Sequence, residues 1–79
     1  MLELYQKELC PYCAKVRRAF EELGVDYVIK PMPDGSERRG ELLKLGGKEQ
    51  VPFLHDTARD VKMYESEDII QYVTEHYGK

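Results

Sequence analysis

Apolar and β-favouring residues gather in short runs, and their spacing changes along the chain. Leu2 to Gln6 predicts a short first strand, and Val25 to Ile29 a second, with Tyr27, Val28 and Ile29 supplying β-propensity. Between them Cys13, Val16, Phe20 and Leu23 recur at spacings of three and four, the signature of one helical face. Lys15, Arg17, Arg18, Glu21 and Glu22 cover the remainder, and Arg17-Arg18 among the glutamates reads as a solvated face. Pro11 suits a first helical position, where its missing N–H removes no bond, and Gly24 supplies the stop. Strand, helix and strand over this length predict a βαβ unit with parallel strands.

The second half is read in the same way. Pro31-Met32-Pro33-Asp34-Gly35 is a turn-rich break. Ser36 is expected to cap a helix running to Leu45, with Leu42 and Leu45 inward and Gly46-Gly47 ending it, although Gly40 weakens its interior. Pro52 to His55 predicts a strand opening at a proline, Asp56 to Arg59 a loop, and Asp60 to Tyr64 an antiparallel partner. Ser66 is expected to cap a last helix, with Glu67 and Asp68 opposing its dipole and Ile69, Ile70, Val73 and Tyr77 as its buried stripe. The order is βαβαββα: an α/β chain with one four-stranded mixed sheet and three helices, expected to form a single domain over residues 1–79.

Composition narrows the function. The hydrophobic share of 42% fits a folded chain, and the net charge of −3 without clustered Lys and Arg argues against a nucleic-acid surface. No run reaches the roughly 20 apolar residues of a membrane span, and Met1 to Tyr5 lacks the regions of a signal peptide, so a cytoplasmic location is expected. In that compartment a cysteine pair points to catalysis or metal binding rather than to a structural bridge. A bond between Cys10 and Cys13 closes too small a loop to brace the fold.

Cys10-Pro11-Tyr12-Cys13 follows a strand and opens a helix. Cys10 falls at the N-cap or just before it, where free N–H groups and the helix dipole favour a thiolate. Cys13 lies one turn further in on the apolar face, within reach of Cys10. The pair suits thiol–disulfide exchange: Cys10 attacks a substrate disulfide and Cys13 resolves the mixed disulfide. Lys7 adds positive charge upstream. Structural zinc takes four protein ligands, and His55 and His76 are not expected to converge on Cys10, so no metal site is expected. Ser66 doubles as an ordinary cap, and Glu65 and Lys7 also read as plain surface charges. Phe20, Phe53, Tyr72 and Tyr77 read as core.

The whole chain resembles the glutaredoxin branch of the thioredoxin fold. The likeness rests on the strand–CPYC–helix start, Val51-Pro52 before the hairpin, and Glu65-Ser66 opening the last helix. It is similar in particular to glutaredoxins whose domain resembles the N-terminal domain of glutathione transferases. The resemblance implies a cis Val51-Pro52 bond beside Cys10, with the Val51 backbone pairing the cysteinyl part of glutathione. It implies that Glu65 and Ser66 hold the γ-glutamyl end, that Lys7 and Gln50 meet the glycine end or backbone, and that Tyr12 walls the site. Met63-Tyr64-Glu65-Ser66 stands where many members carry a Gly-Gly turn and an acidic pair, which favours the transferase-like mode of holding glutathione.

The expected activity is therefore glutathione-dependent reduction of protein disulfides and glutathione mixed disulfides, at a potential of about −200 to −230 mV. Glutathione is the co-substrate, with no cofactor bound, and the partners are disulfide-containing or glutathionylated proteins met by a monomer. The alternatives are a redoxin reduced by thioredoxin reductase, a glutathione-ligated iron–sulfur cluster carrier, and a glutathione transferase. The last is disfavoured by the absence of room for a second, helical domain before Lys79.

Overall fold

A computed structural model describes residues 1–33 and 35–78. The elements are β1 (Leu2–Gln6), α1 (Pro11–Leu23), β2 (Val28–Pro31), α2 (Arg38–Gly46), β3 (Phe53–Asp56), β4 (Val61–Met63) and α3 (Ser66–Tyr77). They form the thioredoxin-like βαβαββα order, with one sheet in the order β2-β1-β3-β4. β1 runs parallel to β2 and antiparallel to β3, and β3 runs antiparallel to β4.

The period of two in β1 divides the core. Leu2 and Leu4 face one side and, with Leu54, pack on Val16 and Phe20 of α1 and Ile69 and Val73 of α3. Tyr5 faces the other side and packs with Phe53, Met32 and Leu42 of α2. Register joins the two strands in both layers, since Leu4 pairs with Leu54 and Tyr5 with Phe53. α1 and α3 therefore lie against each other on one face, with Lys15 of α1 paired to Glu67 of α3. Among the described residues no helix is long and apolar enough to cross a membrane.

Several boundaries differ from the sequence expectation. Val25 donates its N–H to Phe20 O at 3.1 Å and Gly24 donates to Glu21 O at 3.0 Å, with Gly24 left-handed at φ 69°. Val25 thus closes α1 rather than opening a strand, so β2 starts at Val28. Pro31 ends β2 instead of starting the turn, an edge position that tolerates its missing N–H. Met32 extends the run by donating to Gln6 O at 2.8 Å. Asp34, expected in that turn, lies outside the described residues.

α2 starts at Arg38 with Glu37 at its N-cap. Ser36 contributes from one residue earlier, its Oγ accepting the Arg38 N–H at 3.2 Å. β3 starts at Phe53, one residue after Pro52, and β4 is confined to Val61–Met63. Asp56, expected in a loop, is the last residue of β3 and is buried, with its carboxylate taken by Tyr72 and Tyr77. Those two tyrosines, with Ile70, are half-buried at the margin of the core. Ser66 is the first residue of α3 and not its cap; the N-cap is Glu65, in extended geometry and without a side-chain cap bond.

Candidate active site

Cys10 is the N-cap of α1, with φ −78° and ψ 121°. Its carbonyl accepts the first helical bond from Ala14 at 3.0 Å, and its own N–H donates to Lys7 O at 3.3 Å. The first turn of α1 holds no acidic residue to compete for the positive end of the dipole. Cys10 is partly exposed, whereas Cys13 is 0% exposed.

The two thiols are pushed in opposite directions. Burial raises the Cys10 thiol, but the Cys13 N–H, the Cys13 thiol, the Tyr12 N–H and the Lys7 charge more than offset it, so Cys10 lies below an ordinary thiol. Cys13 is pushed up to about 12, first by burial and then by its hydrogen bond to Cys10 and the charge there. The Lys7 backbone and Arg17 oppose that rise without overcoming it. One thiol is thus the readier of the two to ionise, and the other stays a proton donor beside it.

Tyr12, Gln50, Val51, Pro52, Glu65 and Ser66 line one open cleft of about 460 Å³, together with Tyr64. The Val51–Pro52 peptide bond is cis. Tyr12 is 64% exposed at the rim. Six residues from three separated segments meet here because β1 lies between β2 and β3, and α3 returns against α1. Lys7 is set apart: it lines a neighbouring cleft of about 240 Å³ with Met32, Pro33, Gly35, Arg39, Glu49 and Val51, so Val51 is the residue common to both. Among the described residues no three His, Cys, Asp or Glu side chains are grouped to hold a metal ion.

Two contributors escaped the sequence reading. Tyr64 lines the cleft, its hydroxyl accepting the Lys48 N–H at 3.0 Å and donating to Lys48 O at 2.9 Å, with its ring 4.7 Å from that of Phe53. Its place directly before Glu65-Ser66 was the available signal. Arg17 is half-buried and not a solvated helix charge. Its guanidinium reaches the Gln6 side chain, Lys7 O at 3.4 Å and Glu8 O at 3.3 Å. Its spacing of four from Cys13 was the clue to that inward position.

Residues 4–79 match the family described as "Glutathione S-transferase, N-terminal domain". The chain is 30% identical over 60 residues to "Glutaredoxin 3" of Escherichia coli (strain K12), covering 76% of this chain and 72% of that protein. It is 35% identical over 74 residues to "Glutathione S-transferase 4" of Zea mays, covering 91% of this chain and 32% of that one. A delta-class glutathione transferase structure from Nilaparvata lugens superposes with TM-score 0.89 at 30% identity, covering 100% of this chain and 37% of that chain. The chain therefore spans about a third of the length of these transferases and most of the length of the glutaredoxin. With the family match running almost from end to end, the chain belongs to the glutathione S-transferase N-terminal domain family, as a glutaredoxin-like member of the thioredoxin fold.

Proposed function

We propose that the protein is a glutathione-dependent thiol–disulfide oxidoreductase of the dithiol type, acting in the cytoplasm on glutathionylated and disulfide-containing proteins. The observation that carries the reading is the asymmetry of the two thiols, with Cys10 lowered at a helix N-terminus and Cys13 buried and raised beside it. An acidic, partly exposed thiol is suited to attack, and an adjacent protonated thiol to resolution.

On a glutathione mixed disulfide, the Cys10 thiolate bonds to the glutathione sulfur and the protein thiolate leaves. A second glutathione thiolate then attacks that sulfur, glutathione disulfide departs, and the Cys10 thiolate is restored. On a protein disulfide, Cys10 bonds to one sulfur while the other leaves as thiolate. Cys13 then gives up its proton, bonds to Sγ of Cys10 and releases the second substrate thiolate. Two glutathione molecules reduce the resulting Cys10–Cys13 disulfide and are oxidised to glutathione disulfide.

The Tyr12–Ser66 cleft is where we expect glutathione to bind. The uncapped start of α3 offers N–H groups to the γ-glutamyl carboxylate, and the Glu65 carboxylate suits its ammonium. The Val51 backbone is assigned to the cysteinyl part. Gln50 and Tyr12 line the same space. The adjoining Lys7 cleft, where Arg39 is paired with Glu49, suits the glycine carboxylate through Lys7.

The test is reduction of a glutathione mixed disulfide coupled to glutathione reductase and NADPH, with wild type, Cys10→Ser and Cys13→Ser. Activity in wild type, its loss in Cys10→Ser and its retention in Cys13→Ser are expected. An inactive wild type would overturn the reading in favour of a redoxin served by thioredoxin reductase.

A further inference from the structure

Arg17 sits one turn beyond Cys13 on α1 and turns back over the crossing from β1 to α1. Its three acceptors belong to three consecutive residues: the Gln6 side chain, the Lys7 carbonyl at 3.4 Å and the Glu8 carbonyl at 3.3 Å. Gln6 is only 4% exposed, so its amide is a buried polar group that this contact satisfies. A planar fork can engage several acceptors at once, which a lysine ammonium on a flexible stem does less well.

Lys7 is where these contacts converge. Its carbonyl accepts from the Cys10 N–H at 3.3 Å as well as from Arg17. Its backbone also acts on the Cys13 sulfur, as does the Arg17 charge, both favouring the thiolate. The charge acting on Cys10 comes instead from Lys7. The guanidinium thus holds the loop whose Lys7 backbone bonds the resolving sulfur, from a position four residues along the same helix, and carries a charge that never loses its proton.

We propose that Arg17 is a positioning residue for the resolving step: it pins the Gln6–Glu8 segment to α1 and presents a permanent positive charge to Cys13, so that the Cys13 thiolate forms and attacks Sγ of Cys10. The inference rests on the dithiol reading above. It has a clear point of action. Once Cys10 is joined to a substrate, its negative charge is gone, and burial of Cys13 is then opposed by the Lys7 backbone and Arg17. Cys13 passes its proton to solvent, its sulfur bonds to Sγ of Cys10, and the substrate thiolate leaves.

The direct test needs no turnover. In a Cys10→Ser background, the rate of Cys13 alkylation by iodoacetamide is followed against pH for Arg17, Arg17→Met and Arg17→Lys. Arg17→Met is expected to slow Cys13 severalfold at pH 8 by lowering its thiolate fraction, and Arg17→Lys to recover at least half of that loss. A profile for Arg17→Met that superposes on its parent, or an Arg17→Lys as slow as Arg17→Met, would overturn the proposal. Should Arg17→Met not fold, Arg17→Gln keeps a donor for the loop carbonyls but no charge, and an unaltered rate there overturns it equally. In the two-thiol enzyme, the loss on a protein disulfide is expected to exceed the loss on a glutathione mixed disulfide. An equal loss on both would also refute a role in resolution. Because alkylation is independent of glutathione, failure of the glutathione-linked reading and failure of the Arg17 proposal are read separately.

Discussion

Tyr72 of α3 donates its hydroxyl to Oδ2 of Asp56 at 2.6 Å, tying the last helix to the end of β3. Tyr77 donates to the same oxygen at 2.6 Å, and the Ala58 N–H reaches Oδ1 at 3.2 Å. A fully buried carboxylate is tolerated here because its oxygens are satisfied. Asp56→Ala leaves two tyrosine hydroxyls without their acceptor and is expected to lower stability by about 2–4 kcal/mol. Tyr72→Phe is expected to cost about 1–2 kcal/mol. Urea unfolding midpoints measure both, and equal midpoints for Asp56→Ala and wild type would contradict the account.

The same carboxylate sets an acid limit. Burial pushes the Asp56 carboxyl up, but the hydroxyls of Tyr72 and Tyr77, the Ala58 N–H and the N-terminal ammonium outweigh it, so it lies below its ordinary value. A group depressed in the folded state stabilises fully above its unfolded pKa of about 3.9 and loses that contribution as pH falls through the folded value. The stability gap between wild type and Asp56→Asn is therefore expected to be flat above about pH 5 and to shrink in more acidic solution. A gap independent of pH down to full protonation would count against this.

For Cys10, alkylation against pH is expected to show a midpoint below the reference of about 8.5 for a free thiol. The Cys13 thiol is one of the groups holding it down, alongside the backbone N–H groups of Cys13 and Tyr12. Cys13→Ala removes the thiol donor and leaves the backbone, so the Cys10 midpoint is expected to rise yet stay below that of a free thiol. A midpoint in Cys13→Ala equal to wild type would assign the whole effect to the helix.

At Gly46 an added Cβ would fall 2.6 Å from Cζ of Tyr64 and 2.8 Å from Cε1 of Phe53. Phe53 is buried, so the half-buried Tyr64 is the ring that must shift, straining its two bonds to Lys48. Gly46→Ala is expected to cost about 1–3 kcal/mol and, by displacing Tyr64 from the cleft, to raise KM for glutathione. Gly47→Ala affects only the left-handed end of α2, at φ 86°, and is expected to cost about 1 kcal/mol with KM unchanged. Thermal unfolding and the coupled assay separate the two glycines.

Ser66 carries no cap bond, so Ser66→Ala is expected to change stability by less than about 0.5 kcal/mol. If its hydroxyl holds the γ-glutamyl carboxylate, the KM for glutathione is expected to rise about 3–10-fold, the worth of one hydrogen bond. A large stability loss with an unchanged KM would return Ser66 to the role of a cap.

Local signals carried far in this chain, and non-local ones did not. Pro11 and Gly24 bracket α1 because each acts on its own backbone, and α1 runs over the span they mark. β2 was shifted because Val25, a good strand former, is recruited by the Phe20 carbonyl to finish the preceding helix. Ser66 outranks Glu65 as a cap by propensity, yet the chain turns one residue earlier. The convergence of Tyr12, Gln50 to Pro52 and Glu65-Ser66 was readable only through family likeness, since strand order decides it. Arg17 and Asp56 were misread for a shared reason: a charged residue reads as exposed until its partners, here the buried Gln6 and two half-buried tyrosines, are known.

The seam between β1 and β3, with Leu4 beside Leu54 and Tyr5 beside Phe53, joins the two halves of the proposed site. The first half carries the acidic sulfur, whose chemistry is set almost entirely by its own helix start and the loop before it. On the proposed function, the second carries Gln50 to Pro52 and Glu65-Ser66, which with Tyr12 would select glutathione without themselves reacting. On that reading a defect in this seam is expected to spare the reactivity of Cys10 and to weaken its discrimination among disulfides. Core packing remote from either cysteine would then act as a safeguard on chemical fidelity.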